Sequence, residues 1–180
     1  MKILFASDIH GSEPWAKKLV ERYNELSCER MILLGDILYH GPRNDLPQGY
    51  NPKGVIALLN SMSDEILCVR GNCEAEVDRM VLNFPCMSDS LVLFEKGKMF
   101  FITHGHLFNT ENPPKLKSGD VLIHGHTHVQ TIEKFGENLY INPGSISMPK
   151  EGNPSSFMIY EEGKFTILDF NMNVINEVEI

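Results

Sequence analysis

Apolar residues in this chain follow two rhythms, and the change between them falls near its middle. Lys2–Ser7 is a short apolar run that predicts a buried strand. Ser12 stands at a helix-cap position with Pro14 in the first turn, and Trp15, Leu19, Val20, Tyr23 and Leu26 recur at helical spacing. Met31–Leu34 predicts a second buried strand, Pro52–Met62 a helix, Ile66–Val69 a third strand and Glu74–Leu82 a short helix. Beyond that point strand, turn and strand dominate. Leu91–Glu95 and Met99–Thr103 flank Lys96-Gly97-Lys98, a hairpin signal. Val121–His124 is another short buried strand. Thr131–Phe135 and Asn138–Ile141 flank Gly136, Ser156–Tyr160 and Phe165–Phe170 flank Glu161-Glu162-Gly163, and Val174–Val178 follows. Strand–helix units followed by hairpins predict an α/β protein of two packed sheets with helices outside. Tyr39–Pro52 is the one long irregular segment, rich in Pro, Gly, Asn and Asp, and loops of that length often carry function.

Composition narrows the classes. The 180 residues suit one compact domain over 1–180, and no apolar run reaches the length of a membrane span. The chain opens on a strand-like run where a secretory leader would be basic and then apolar. None of the four cysteines forms a Cys-x-x-Cys pair, so the expectation is a cytoplasmic protein with free thiols. A formal net charge of -8 argues against a broad grip on nucleic acid, which uses a basic face. It leaves room for a small anionic substrate held through metal ions.

Five short polar stretches each follow a predicted strand: Asp8-Ile9-His10, Gly35-Asp36, Gly71-Asn72-Cys73-Glu74, Thr103-His104-Gly105-His106 and Gly125-His126-Thr127-His128. In open α/β sheets, sites gather at the carboxyl ends of strands. Any one of these stretches alone reads as an ordinary turn. Together they hold or adjoin every histidine of the seven except His40. Carboxylate, imidazole and amide oxygen suit Mn, Fe, Zn or Co rather than a thiolate site. Seven such donors exceed what one ion uses, which points to two ions, the usual clamp for in-line attack at phosphorus.

In this order the stretches resemble the calcineurin-like metallophosphoesterases, in particular the small bacterial phosphodiesterases among them. Residues 33–44 and 142–150 extend the resemblance over essentially the whole chain. It implies a four-layer sandwich of two mixed β-sheets flanked by helices. It implies two divalent metal ions, Mn2+ before Zn2+, Fe2+ or Co2+ on donor type. Asp8, His10 and His128 would hold one ion, Asn72, His104 and His126 the other, and Asp36 both. Asn72, Cys73 and His104 are the catalytic candidates, and Arg43, in the long loop, the candidate for gripping a phosphate oxygen. Many relatives carry His where this chain has Cys73, which leaves the leaving group's proton donor open.

The function these features imply is hydrolysis of a small phosphodiester by a hydroxide activated between two metals. A thiol donates a proton less readily than an imidazolium near neutrality, so good, aryl-like leaving groups are favoured. A nuclease, a phosphomonoesterase and a non-catalytic protein-binding scaffold on the same fold are the alternatives. The missing basic, aromatic-interleaved stripe counts against the first and Cys73 against the second. The full donor set, which a scaffold need not keep, counts against the third. Hairpin edges in the second half leave surfaces on which a homo-oligomer can form.

Overall fold

The computed structural model describes residues 1–180 and has the elements in the expected order. They are β1 (Lys2–Ala6), α1 (Glu13–Glu25), β2 (Arg30–Leu33), α2 (Pro52–Asn60), β3 (Ile66–Cys68), α3 (Asp78–Val81), β4 (Ser90–Glu95), β5 (Lys98–Thr103), β6 (Val121–Ile123), β7 (Thr131–Phe135), β8 (Asn138–Asn142), β9 (Ser156–Glu161), β10 (Lys164–Asp169) and β11 (Val174–Glu179). Two mixed sheets form. The first runs β11-β10-β9-β1-β2-β3 and the second β4-β5-β6-β8-β7. β1, β2 and β3 are parallel to one another, as are β5, β6 and β8, and the hairpin strands are antiparallel.

Strands buried on both faces explain why the first strands read as continuous apolar runs. In β1, Leu4 and Ala6 face α1 and α2 in a cluster with Leu19, Tyr23, Val55 and Leu59, while Ile3 and Phe5 face the second sheet. Between the sheets, Phe100 lies edge-on to Tyr160 at 5.2 Å between ring centres, and Phe165 packs on both. Aromatic pairs of this kind add roughly 0.5–1.5 kcal/mol each beyond the area they bury.

The helical cover lies on one side only. All three helices precede residue 82, and the outer face of the second sheet, with Phe101, Leu122 and Tyr140, carries none. Irregular chain covers it instead: Phe108 packs edge-on to Phe101, and His124 stacks on Tyr140. Pro113-Pro114 in that covering segment leaves little scope for a helix.

Three local expectations are corrected. Ser12 occupies the cap position of α1, but its hydroxyl donates to the Gln48 carbonyl and so pins the long loop instead. The predicted 52–62 helix ends at Asn60 and gives way to a 3-10 turn at Ser63–Glu65. The predicted 74–82 helix shrinks to Asp78–Val81, because Glu74 turns inward and the Asp78 carboxylate accepts from the Ala75 N–H.

Candidate metal centre

The carboxyl ends of β1, β2, β3, β5 and β6 open on one rim, and the five polar stretches follow them. Each chain leaves its strand in a tight turn. Asp8, His10, Asp36, His126 and His128 all have positive φ, between 48° and 68°. That left-handed region is uncommon for residues other than glycine, and such strain clusters at functional sites. Glycine is required where two turns meet: a Cβ on Gly71 would lie 2.1 Å from an Asp36 carboxylate oxygen, and one on Gly125 would lie 1.9 Å from Ser7 Oγ.

The rim brings all seven candidate donors together. Asp8 Oδ1 lies 3.3 Å from His128 Nε2 and 3.7 Å from His10 Nε2, and the two imidazole nitrogens are 3.4 Å apart. Asp36 Oδ2 lies between the two groups, 3.7 Å from His10 Nε2 and 3.5 Å from His104 Nε2. His104 Nε2 is 3.0 Å from Asn72 Oδ1 and 3.2 Å from His126 Nδ1. Asp8, His10, Asp36, His104 and His128 are buried, and Asn72 and His126 stand nearer solvent.

The other nitrogens of three rings are already committed. Nδ1 of His10 meets the Tyr39 carbonyl at 2.8 Å, Nδ1 of His104 that of Leu34 at 2.7 Å, and Nδ1 of His128 that of Met148 at 2.7 Å. Each Nδ1 therefore donates, and each Nε2 points inward, free to ligate a metal once its ring is neutral. Nε2 of His10 and of His128 then face one another, and that of His104 faces the Asn72 amide oxygen. Asp8 Oδ1 is buried with no hydrogen-bond donor. Inward-facing donors converging in this way suit a bound cation. Ligands bonded at about 2.1 Å to one ion lie roughly 3.0–3.5 Å apart, and the donor atoms here stand 3.0–3.7 Å apart. The donor set fits two divalent ions, and Asp36 Oδ2 lies between its two groups.

The protein's own charges point the same way. Burial opposes the Asp8 charge, yet contact with His128 and the charges of His104, His128 and His10 hold its carboxyl well below the usual range. Asp36 is lowered too: burial again opposes, and contact with His104 outweighs it. Burial opposes a charge on His104, but Asp36 and Asp8 push it up to about 9. The carboxylates stay anionic, and the field at the imidazoles favours positive charge.

Backbone braces fix the cluster. Glu74 accepts from the N–H groups of Asp36, Ile37 and Gly71 with its two carboxylate oxygens, tying the second motif to the third. The Cys73 N–H donates to Asp36 Oδ1 at 2.8 Å, leaving Oδ2 for the centre. Ser145 and Ser147 hydroxyls donate to the Asp8 carbonyl, and the Asn142 amide donates to the Gly125 carbonyl and Thr127 Oγ1. The Asn142–Ser145 turn thus holds the ligand loops.

Above the donors opens a cleft of about 440 Å³ with no hydrophobic residue in its wall. Arg43 and Lys150 line it with Asn44 and Thr127. Lys150, Asn44 and Thr127 are additions to the sequence reading. Cys73 is half-buried at the edge of the cluster, its thiol pushed far above the usual range by burial and by the Asp36 charge. Of the remaining histidines, His106 packs edge-on to His104, and His40 lies between Tyr39 and Tyr50 in the long loop.

Residues 1–164 match the calcineurin-like phosphoesterase superfamily domain. The chain belongs to that superfamily. Among superfamily members, phosphodiesterase YfcE of Escherichia coli strain K12 is 44% identical over 182 residues, spanning 100% of this chain and 98% of that protein. The solved structure of YfcE, described as a phosphoesterase from E. coli, superposes with a TM-score of 0.97 at 42% identity, with both chains fully covered. Phosphodiesterase MJ0936 of Methanocaldococcus jannaschii is 29% identical over 91% of this chain and 95% of its own length. Vps29 of Entamoeba histolytica, at 19% identity over 100% of this chain and 99% of its own, shares the fold with a TM-score of 0.63. The superfamily's two mixed sheets are those described above.

Proposed function

We propose that these 180 residues form one catalytic domain, a metal-dependent phosphodiesterase acting on small phosphodiesters. The observation that carries this reading is the convergence of inward-facing carboxylate, imidazole and amide donors beneath a wholly polar cleft. Asp8, His10 and His128 hold one divalent ion, Asn72, His104 and His126 the second, and Asp36 both, with Mn2+ the first choice on donor type. Bound there, the pair of ions supplies Lewis-acid charge and lowers the pKa of coordinated water towards about 7. The chain's part is positional. Asp36, fixed by the Cys73 N–H and by Glu74 through its backbone, sets the spacing of the two donor groups. Arg43 and Lys150 in the cleft wall offer cationic donors to phosphate oxygens, and the arginine fork suits two of them at once. Four free thiols and the absence of a helix able to cross a membrane support a cytoplasmic setting.

The test is hydrolysis of bis(p-nitrophenyl) phosphate by chelator-stripped protein with Mn2+ restored, beside p-nitrophenyl phosphate and single-stranded DNA. Metal-restored turnover of the diester, with little on the other two, is the expected result. Turnover led by the monoester or by DNA would give the site a different substrate class. Silence with every divalent metal in folded protein would make it a binding fold. Arg43→Ala should raise KM on the diester about tenfold, in line with roughly 1.5–3 kcal/mol for a hydrogen bond to a charged group. An unchanged KM makes Arg43 a solvated loop residue.

A further inference from the structure

A second hollow, of about 400 Å³, adjoins the cleft and differs from it in chemistry. The two share Arg43, Asn44 and Asn72, so they form one continuous depression. The cleft has no hydrophobic residue in its wall, whereas Tyr39, Pro42, Cys73 and Ala75 give the side pocket walls of carbon and sulfur.

Tyr39 holds a fixed place relative to the centre. Its carbonyl accepts from His10 Nδ1, so the residue that presents the ring also orients a candidate metal ligand. Its ring meets His40 edge-on at 4.8 Å, and His40 meets Tyr50 edge-on at 5.3 Å. Tyr50 is bridged to Ser12 beside α1. This row of rings holds a phenol that is still 43% exposed. Cys73 marks the junction, because its Sγ lies within 4.8 Å of ligand atoms of His10 and Asp36 while the residue lines the pocket. A phosphate seated over Asp36 can therefore send one ester substituent past Cys73 into the side pocket. The other is left on the polar side, by Thr127 and Lys150.

A phosphate gains nothing from carbon walls, and a small alkyl group leaves such a hollow mostly empty. A flat ring fills it and stacks on an exposed phenol. We propose that the side pocket is the subsite for one substituent of the diester, that it takes a flat aromatic ring, and that Tyr39 sets this preference. The proposal rests on the phosphodiesterase reading and narrows its substrate class to diesters with an aryl or nucleobase-bearing arm.

Calorimetric titration of Mn2+-loaded protein with phenylphosphonate, thymidine 5′-monophosphate and methylphosphonate tests it without turnover. One or both ring-bearing ligands should bind about tenfold tighter than methylphosphonate, the scale of a single aromatic stack. Whichever of the two shows the preference names the arm as a simple aryl group or a nucleobase. Tyr39→Ala should remove the preference and Tyr39→Phe keep it. Ala75→Trp, which fills the pocket from an exposed position, should abolish the preference as well, and so guards against a Tyr39 variant that fails to fold. Equal binding of all three ligands to the wild type, or equal weakening of all three by Tyr39→Ala, would overturn the subsite. In that event metal-restored hydrolysis of bis(p-nitrophenyl) phosphate leaves the phosphodiesterase reading standing. Loss of that hydrolysis in the wild type removes both.

Discussion

Cys73 stands at the edge of the donor cluster, its Sγ within 4.8 Å of ligand atoms of His10 and Asp36, and is the candidate position for a leaving-group proton donor. Its thiol is held protonated by burial and by the neighbouring Asp36 charge, so it gives up a proton poorly. Good leaving groups do not need one. An imidazole there would supply general-acid assistance, an effect of roughly 10²–10⁴ in rate on poor leaving groups. The side chain borders an open hollow, which gives a larger ring room to turn. Cys73→His should therefore raise kcat/KM on alkyl diesters and monoesters about a hundredfold, the lower end of that range, with little gain on p-nitrophenyl esters. A drop on every substrate would show that Cys73 packs the site and nothing more. At this scale the sequence carried the chemistry of the candidate donors, because Asp, Asn and His after strands are few and their order is specific. It carried little of what holds them. Glu74 braces the cluster only because three N–H groups from two separate loops converge on it, and Lys150 is one loop lysine among many until the fold sets it beside His128. Neither leaves a mark in local sequence beyond the motif that contains it.

The elements serve the site chiefly through where they stop. β1, β2, β3, β5 and β6 end towards one rim, and after β1, β2 and β6 the chain turns at once through left-handed donor residues. Such turns leave no spare volume. Gly71→Ala would drive a methyl group against the Asp36 carboxylate and backbone. The expected cost in stability is about 1–3 kcal/mol, as for other overpacked sites. The expected loss in metal-supported turnover is far larger, at least 10²-fold, since about 1 Å of misplacement can cost that much. Melting and kinetics measured on the same preparation separate the two; proportional loss of both would mean that Gly71 matters to folding alone. Strand and hairpin positions were legible because burial on one or both faces leaves a clear period. The two helices packed on the first sheet were legible for the same reason. The 74–82 stretch was not, since Glu74 and Asp78 spend their side chains on backbone N–H groups and cut the helix to its last turn. One-sided helical cover was only partly legible: Pro113-Pro114 argues against a helix in residues 105–119, but nothing local says that the segment covers a sheet face.

The whole molecule carries a net charge of -8, yet its deepest polar cluster is arranged to receive positive charge. Asp8 and Asp36 are buried carboxylates, and Asp8 Oδ1 has no donor of its own. Five donor residues are also held at positive φ, at a cost of order 1 kcal/mol each in unfavourable cases. Packing must hold this geometry together against backbone strain, and cations that bind only the folded chain would add to its stability. Ions present at a hundredfold excess over their dissociation constant stabilise the folded state by about 2.7 kcal/mol. For a domain of this length each kcal/mol moves the melting temperature by roughly 2–4 °C, so chelation should lower it by about 5–10 °C and Mn2+ should restore it. Asp36→Asn removes a charge shared by both donor groups. It should shrink this metal-dependent increment to a small fraction, whatever it does to the melting temperature of the stripped protein. A melting temperature indifferent to chelator, in protein whose turnover is metal-dependent, would place the ions outside this cluster.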